Sequence, residues 1–321
     1  MRLSRQILAA AIAATFATLI ALPSAAQAPA PAASKPAAGK QATFATPEEA
    51  ADGLAAALRE QKRDRLLAIV GPSSASWLFS GDNVADRNDW SRFLAAYEKK
   101  HNVEKAGDKA TLNVGDDDWP FPAPLVNRNG RWSFDANAGR EEIVNRRVGR
   151  NELDTIQALL AVVDAQREYA AGDLDGNGYA DYARKFRSSA GKKDGLYWPD
   201  ESGKPQSPLG PLVATAFNEG YGKAKAAEPG QPAPFRGYYY RILTSQGKDA
   251  AGGAYDYLVR DLMIGGFAVV AWPASYRNSG VTTFVVNHDG VVYEKDLGPQ
   301  TASIAQGMKQ YNPDSSWRKA Q

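Results

Sequence analysis

The sequence predicts an α+β protein, on three observations. Apolar residues recur at helical spacing through the first hundred residues, short alternating segments bounded by turn residues follow, and the order of a long helix and then strands comes a second time. The expected organisation is a signal peptide over residues 1–28, a disordered Ala/Pro-rich linker over 29–43, a small α+β domain over 44–138, and a long helix with a second α+β domain over 139–321.

Each element has a local reason. Thr46-Pro47-Glu48-Glu49 supplies a capping hydroxyl, a proline at the first helical position and two carboxylates for the positive first turn, so a helix starts there with Ala50, Leu54 and Leu58 on one face. Folding is expected to begin near Phe44. A second helix runs over 63–70 and stops at Gly71-Pro72, and Trp90, Phe93, Leu94 and Tyr97 at i, i+3, i+4 and i+7 give a third, which is expected to carry His101 as an exposed polar residue. Residues 111–115, 124–127 and 131–134 read as strands, the last two joined by the turn Asn127-Arg128-Asn129-Gly130. Residues 141–171 hold no proline and one glycine and form the long helix. A loop-rich stretch follows, then a helix with Leu212, Val213, Ala216 and Phe217 on one face. Strands come last, over 237–244, 266–272, 281–286 and 291–295, with Asn287-His288-Asp289-Gly290 as a tight turn.

Composition narrows the functions available. Arg2 and Arg5, an apolar run over 7–22 and Ala26-Gln27-Ala28 have the form of a cleavable export signal, and the run is too short to span a bilayer, so no membrane span is expected after cleavage. The chain is expected in the periplasm or outside the cell. The absence of cysteine removes thiol nucleophiles, thiolate metal sites and redox relays, and only two histidines are present. With Lys+Arg 38 against Asp+Glu 36 the net charge is +2, which gives no basic footprint for nucleic acid.

Asp173-Leu174-Asp175-Gly176-Asn177-Gly178-Tyr179-Ala180-Asp181 is the sharpest local pattern. It places oxygens of Asp173, Asp175, Asn177 and Asp181 at loop positions 1, 3, 5 and 9, glycine at 6 and the carbonyl of Tyr179 at 7, the spacing of a calcium loop. The acid expected at position 12 is replaced by Arg184, so Asp194 or another acid from elsewhere would have to complete it. The other reading of the same residues is a glycine-rich turn whose side chains bond local amides.

Arg146, Arg147 and Arg150 lie close together early in the long helix. They read either as a solvated face with i,i+4 pairs such as Arg150 with Asp154, or as a basic docking patch. Trp198, Tyr239, Trp272 and Tyr276 are the aromatic candidates for a ligand or partner surface, with the proviso that Tyr238 and Tyr240 share one strand face and Tyr239 takes the other. His288 beside Asp289 is explained by the turn it occupies. No nucleophile elbow, zinc-protease motif, phosphate loop or dinucleotide fingerprint is present, and Glu141-Glu142 point about 100° apart on a helix. No catalytic residue is therefore assigned.

Several stretches together resemble the bacterial envelope family called domain of unknown function 2950. They are residues 44–49, Asp117-Asp118-Trp119-Pro120-Phe121-Pro122, Arg146-Arg147-Val148-Gly149-Arg150-Asn151-Glu152, Asp194-Gly195-Leu196-Tyr197-Trp198-Pro199, residues 265–276 and residues 291–297. The resemblance implies an exported bacterial protein without an assigned reaction. The first domain is similar to cystatin-like or nuclear transport factor 2-like modules. The second half, from Asn151-Glu152 through Ala165-Gln166-Arg167-Glu168-Tyr169 to the closing hairpin, resembles soluble type IV pilin-like domains, although an Arg-rich segment stands where a pilin has its polymerising apolar helix. The expectation is a non-catalytic binding or assembly module for an unknown envelope protein or glycan, with calcium as the one candidate cofactor. The alternative is a carboxylate-based hydrolase of envelope glycan or peptide, built on acids that converge only in three dimensions.

Overall fold

Helix α1 (Pro47–Glu60) begins where the capping residues place it: Thr46 Oγ1 accepts from Glu49 N at 3.1 Å, and Glu49 Oε2 reaches back to Ala45 N at 3.0 Å. The structure, a computed structural model, describes residues 40–200, 206–221 and 233–320. The expected signal peptide and residues 29–39 of the expected linker lie outside the described residues. Order begins slightly ahead of Phe44, because Gln41 Nε2 donates to the carbonyls of Val70 and Phe134 (both 2.8 Å) and Ala42 N donates to Ala68 O at 2.7 Å. A polar side chain that closes two helix and strand ends holds this segment, which its composition does not reveal.

Helices α2 (Arg63–Val70), α3 (Ala75–Leu78) and α4 (Asn83–Lys99) follow, the last capped by Asp82, whose Oδ1 accepts from Val84 N and Ala85 N. They cover an antiparallel sheet of β1 (His101–Ala106), β2 (Lys109–Val114), β3 (Trp119–Pro120), β4 (Leu125–Arg128) and β5 (Arg131–Phe134), in the order β1-β2-β4-β5 with β3 on β2. The β4–β5 hairpin turns through Asn129 (φ 56°) and Gly130 (φ 77°), the left-handed pair that a two-residue turn requires. Strand β1 corrects the reading that put His101 on a helix. The helix stops at Lys99, and Gly107-Asp108 forms a two-residue turn that pairs residues 101–106 with β2. His101 is exposed as expected, its ring stacked on Tyr97.

Helix α5 (Arg140–Ala171) is 32 residues long and serves both halves of the molecule. Ile143 and Val144 pack on the N-terminal core; Leu159, Val162 and Val163 enter the C-terminal one. After α6 (Gly210–Asn218) come β6 (Tyr238–Leu243), β7 (Ser245–Gln246), β8 (Tyr255–Asp256), β9 (Ala268–Pro273), β10 (Thr282–Asn287), β11 (Tyr293–Asp296), α7 (Thr301–Gly307) and β12 (Arg318–Lys319). The second sheet runs β12-β11-β10-β9-β6 with every pair antiparallel, while β7 and β8 form a separate ribbon. Helix α5 packs on β9 and β10, α7 packs on β9, and every residue of β9 is buried. The architecture is α+β.

A polar seam ties the two halves into one compact unit. Asp82 Oδ2, at the start of α4, accepts from Gly237 N (2.9 Å) and from the Tyr221 hydroxyl (2.8 Å). Gly237 has φ +81° with the Asn151 amide against it, a place where no side chain fits. On α5, Asn151 donates to Ser279 O (2.9 Å), and Glu152 Oε1 accepts from Val281 N (2.9 Å) and Thr282 N (3.0 Å). These groups are buried or nearly so and bonded, as groups taken out of water must be.

Candidate functional site

Two helices turn matching faces toward one cavity. On α4 the face is Asp86, Asp89, Trp90 and Phe93; on α5 it is Ile143, Arg146, Arg147 and Arg150. Both follow i, i+3, i+4 and i+7, so each presents one stripe. Between them lies a cavity of about 530 Å³, floored by Leu54, Leu58 and Leu66, backed by Trp77, and closed on the sheet side by Gly115, Trp119 and Phe121. That volume falls within the range of pockets that hold small organic ligands. Phe121 meets Trp119 and Phe134 edge-on and Phe93 at a tilt, and these contacts fix the aromatic wall.

The three arginines occupy different surroundings. Arg146 is half exposed, donates from Nε to Glu142 at 2.5 Å and lies over the Trp119 ring at 5.3 Å. Arg150 bonds Asp89 Oδ2 at 2.8 Å, and Arg92 bonds the other oxygen of the same carboxylate. Arg147 is buried, with Nη1 donating to Asn278 Oδ1 and Nη2 to Trp77 O, both at 2.7 Å. Burial lowers its pKa, and the charge of Asp86 opposes that shift. Asp86, also buried, accepts from Ser80 N with both oxygens at 3.1 Å. Desolvation pushes its carboxyl up to about 6, against the pull of the Ser80 hydrogen bonds and the Arg147 charge.

These contacts amend the two readings of the arginine cluster. Arg150 pairs across to α4 and not along its own helix with Asp154, which faces Arg236 at 3.4 Å. Arg147 is neither solvated nor on a surface, because its position on α5 turns it into the seam between the halves. Of the aromatic candidates, Trp198 and Trp272 are buried, and Tyr239 and Tyr276 are half-buried. Tyr239 stacks near Trp272 with centroids 5.7 Å apart, Tyr276 donates to Asp296 at 3.0 Å, and Trp198 lies under Lys193 at 5.1 Å. As an open surface Trp198 and Trp272 are corrected: strand pleating turns Trp272 into the core beside Tyr239, and Trp198 is packed into the core with α5. None of these four residues reaches the arginine cavity.

The Asp173 loop folds on its own polar groups. Asp173 accepts from Gly178 N (3.1 Å), Asn177 Oδ1 accepts from Tyr179 N (2.8 Å), and the Asn177 amide donates to Asp175 (2.9 Å) and Asp181 (3.0 Å). Asp194 is held by Lys185 at 2.7 Å, an ion pair that keeps its carboxyl far below the usual range. Among the described residues no three His, Asp or Glu side chains converge as a metal-binding group.

Sequence reasoning missed Asp86, Asp89, Trp119 and Phe121 as parts of a site. A usable sign was present: Trp90 and Phe93, two of the four α4 residues, were readable as periodicity, and Asp117-Asp118-Trp119-Pro120-Phe121-Pro122 and the Arg146–Glu152 stretch stood out as family-like. Both stretches line this one cavity. The family model described as Protein of unknown function (DUF2950) matches residues 41–320. The chain belongs to that family. No curated protein and no solved structure matches it, so the likenesses to cystatin-, nuclear transport factor 2- and pilin-like folds gain no support from relatives. Among the described residues no helix is long and apolar enough to cross a membrane.

Proposed function

We propose that this member of the DUF2950 family is an exported envelope protein that acts as a non-catalytic binding module, with the cavity between α4 and α5 as its ligand site. The observation that carries the reading is a space of about 530 Å³, walled mainly by apolar and aromatic side chains, that opens to solvent between the exposed Arg92, Arg146 and Arg150. Export is read from residues 2–28, which have the charge and apolar pattern of a cleavable signal.

The test is binding of a neutral environment-sensitive dye such as N-phenyl-1-naphthylamine to the purified chain. Saturable enhancement is expected, abolished by Ile143→Trp, which fills the cavity from α5. A dye that fails to bind, or that binds the filled variant equally well, overturns the assignment of the site.

One observation favours a second reading, a carboxylate-based hydrolase. Asp86, whose carboxyl burial pushes up to about 6, lines the same cavity as a second carboxylate, Asp89, which two arginines hold in place. Turnover of envelope glycan or peptide that disappears in Asp86→Asn while binding persists would establish it.

A further inference from the structure

Four arginines, Arg92, Arg146, Arg147 and Arg150, line the cavity together with four aspartates, Asp86, Asp89, Asp116 and Asp117, but the only ion pairs between the two sets among the described residues go to Asp89. Arg92 and Arg150 divide the single carboxylate of Asp89. Arg147, 9% exposed, donates only to the neutral oxygens of Asn278 and Trp77, and among the described residues no carboxylate stands within the 4.0 Å of an ion pair with it. A guanidinium offers five N–H donors, and a buried cation is costly unless an anion compensates it. Asp86 acts on Arg147 from longer range, its own oxygens already bound to Ser80 N. The fold therefore builds an apolar chamber with a buried positive charge in its wall and keeps that charge in place with rigid neutral acceptors.

We infer that the ligand is an amphipathic anion, whose apolar chain or ring fills the space beside Trp90, Phe93 and Phe121 and whose carboxylate or phosphate oxygens meet Arg147 and Arg150. This rests on the reading of the cavity as a binding site. It adds the class of ligand: charge-assisted hydrogen bonds to guanidinium select an acid over a neutral molecule of the same shape. Carboxylate and phosphate share that chemistry, and the experiment separates them.

Tryptophan fluorescence of the purified chain is titrated with 12-bromododecanoic acid and with 12-bromododecan-1-ol, both below their aggregation concentrations, since bromine quenches the cavity tryptophans on contact. The acid is expected to bind at least tenfold more tightly than the alcohol, and the preference to weaken as salt is raised. Dodecyl phosphate and dodecanoate are then compared as competitors, and the stronger one identifies the head group. Arg147→Met is expected to reduce the acid-to-alcohol ratio to about one. Because Arg147 also ties the halves together, that variant can fail to fold; Arg150→Gln, at an exposed position, is then expected to reduce the ratio severalfold with the alcohol unaffected. Equal affinity for acid and alcohol overturns the anion inference and leaves the binding site standing. Quenching by neither overturns both.

Discussion

In the C-terminal half, β9 is buried on both faces, with α5 on one side and α7 against it, and Phe267, Ala268, Val269, Val270 and Ala271 have no exposed surface. In the N-terminal half a comparable set of helices and strands leaves about 530 Å³ between α4, α5 and the 115–122 loop. The same helix, α5, borders both: arginines face the N-terminal space, and small and branched residues from Ala158 to Val163 face the C-terminal half. There Ala158 and Val162 also line a smaller apolar cavity of about 290 Å³ with Leu212, Val213 and Tyr240. Close packing is the default of a protein interior, so the sheet core around β9 is the reference and the larger space beside the arginines departs from it. The difference supports the proposed placement of the ligand site beside the arginines.

Truncating each core gives the largest test of this contrast. Phe284→Ala, at a fully packed position, is expected to cost about 4 kcal/mol in urea unfolding, whereas Trp90→Ala, on the wall of the cavity, costs about 1 kcal/mol. Equal losses would mean that the cavity wall is packed as tightly as the sheet core. The next effect concerns the seam: Asp82→Ala strands Gly237 N, the Tyr221 hydroxyl and two helix N–H groups, and is expected to cost about 3 kcal/mol by the same measurement. A loss under 1 kcal/mol would show that the halves hold together without it.

Asp86 sharpens the comparison through pH. Its folded-state pKa of about 6 lies above the ordinary 3.8, so the folded chain binds the extra proton and its stability falls as pH rises from about 4 to 6. The charged groups that act on it are Arg147 on α5, which lowers the value, and Asp82, which raises it. From this group alone roughly 2 to 3 kcal/mol is lost across that window. Asp86→Asn, which keeps an acceptor for Ser80 N, is expected to flatten that slope, and an unchanged slope would remove Asp86 as its source. The smallest effect is expected at the Asp173 loop, whose side-chain oxygens bond within the loop. EDTA or excess calcium should leave the melting midpoint unmoved, whereas a bound ion at 100 times its dissociation constant would add about 2.7 kcal/mol.

Much of the fold was legible from local chemistry. Thr46 with Glu49, the Asn129-Gly130 turn and the pleat that separates Tyr239 from Tyr238 and Tyr240 are governed by neighbours in the chain. Tyr238 and Tyr240 do point their hydroxyls at Glu152 and Thr155 of α5. Strand β1 was missed because its six residues are mostly exposed and carry no apolar alternation, leaving Gly107-Asp108 as its one cue. The site was half legible. The arginines were singled out, but whether each meets a carboxylate, a carbonyl or water depends on α4 and on the β9–β10 connection, which no spacing within residues 146–150 encodes. Of the aromatic cavity wall, Trp90 and Phe93 were legible as part of a helical stripe, while Trp119 and Phe121 opposite them were not.

Arg147 finds Trp77 at a sequence separation of 70 and Asn278 at 131. A chain that becomes available from its N-terminus therefore offers this guanidinium the Trp77 carbonyl at once but the Asn278 amide only much later. Closing loops that long is an entropic delay before any contact repays it. The order of events follows: the helices and sheet around the hollow can assemble early, but the buried Arg147 guanidinium gains its second partner last.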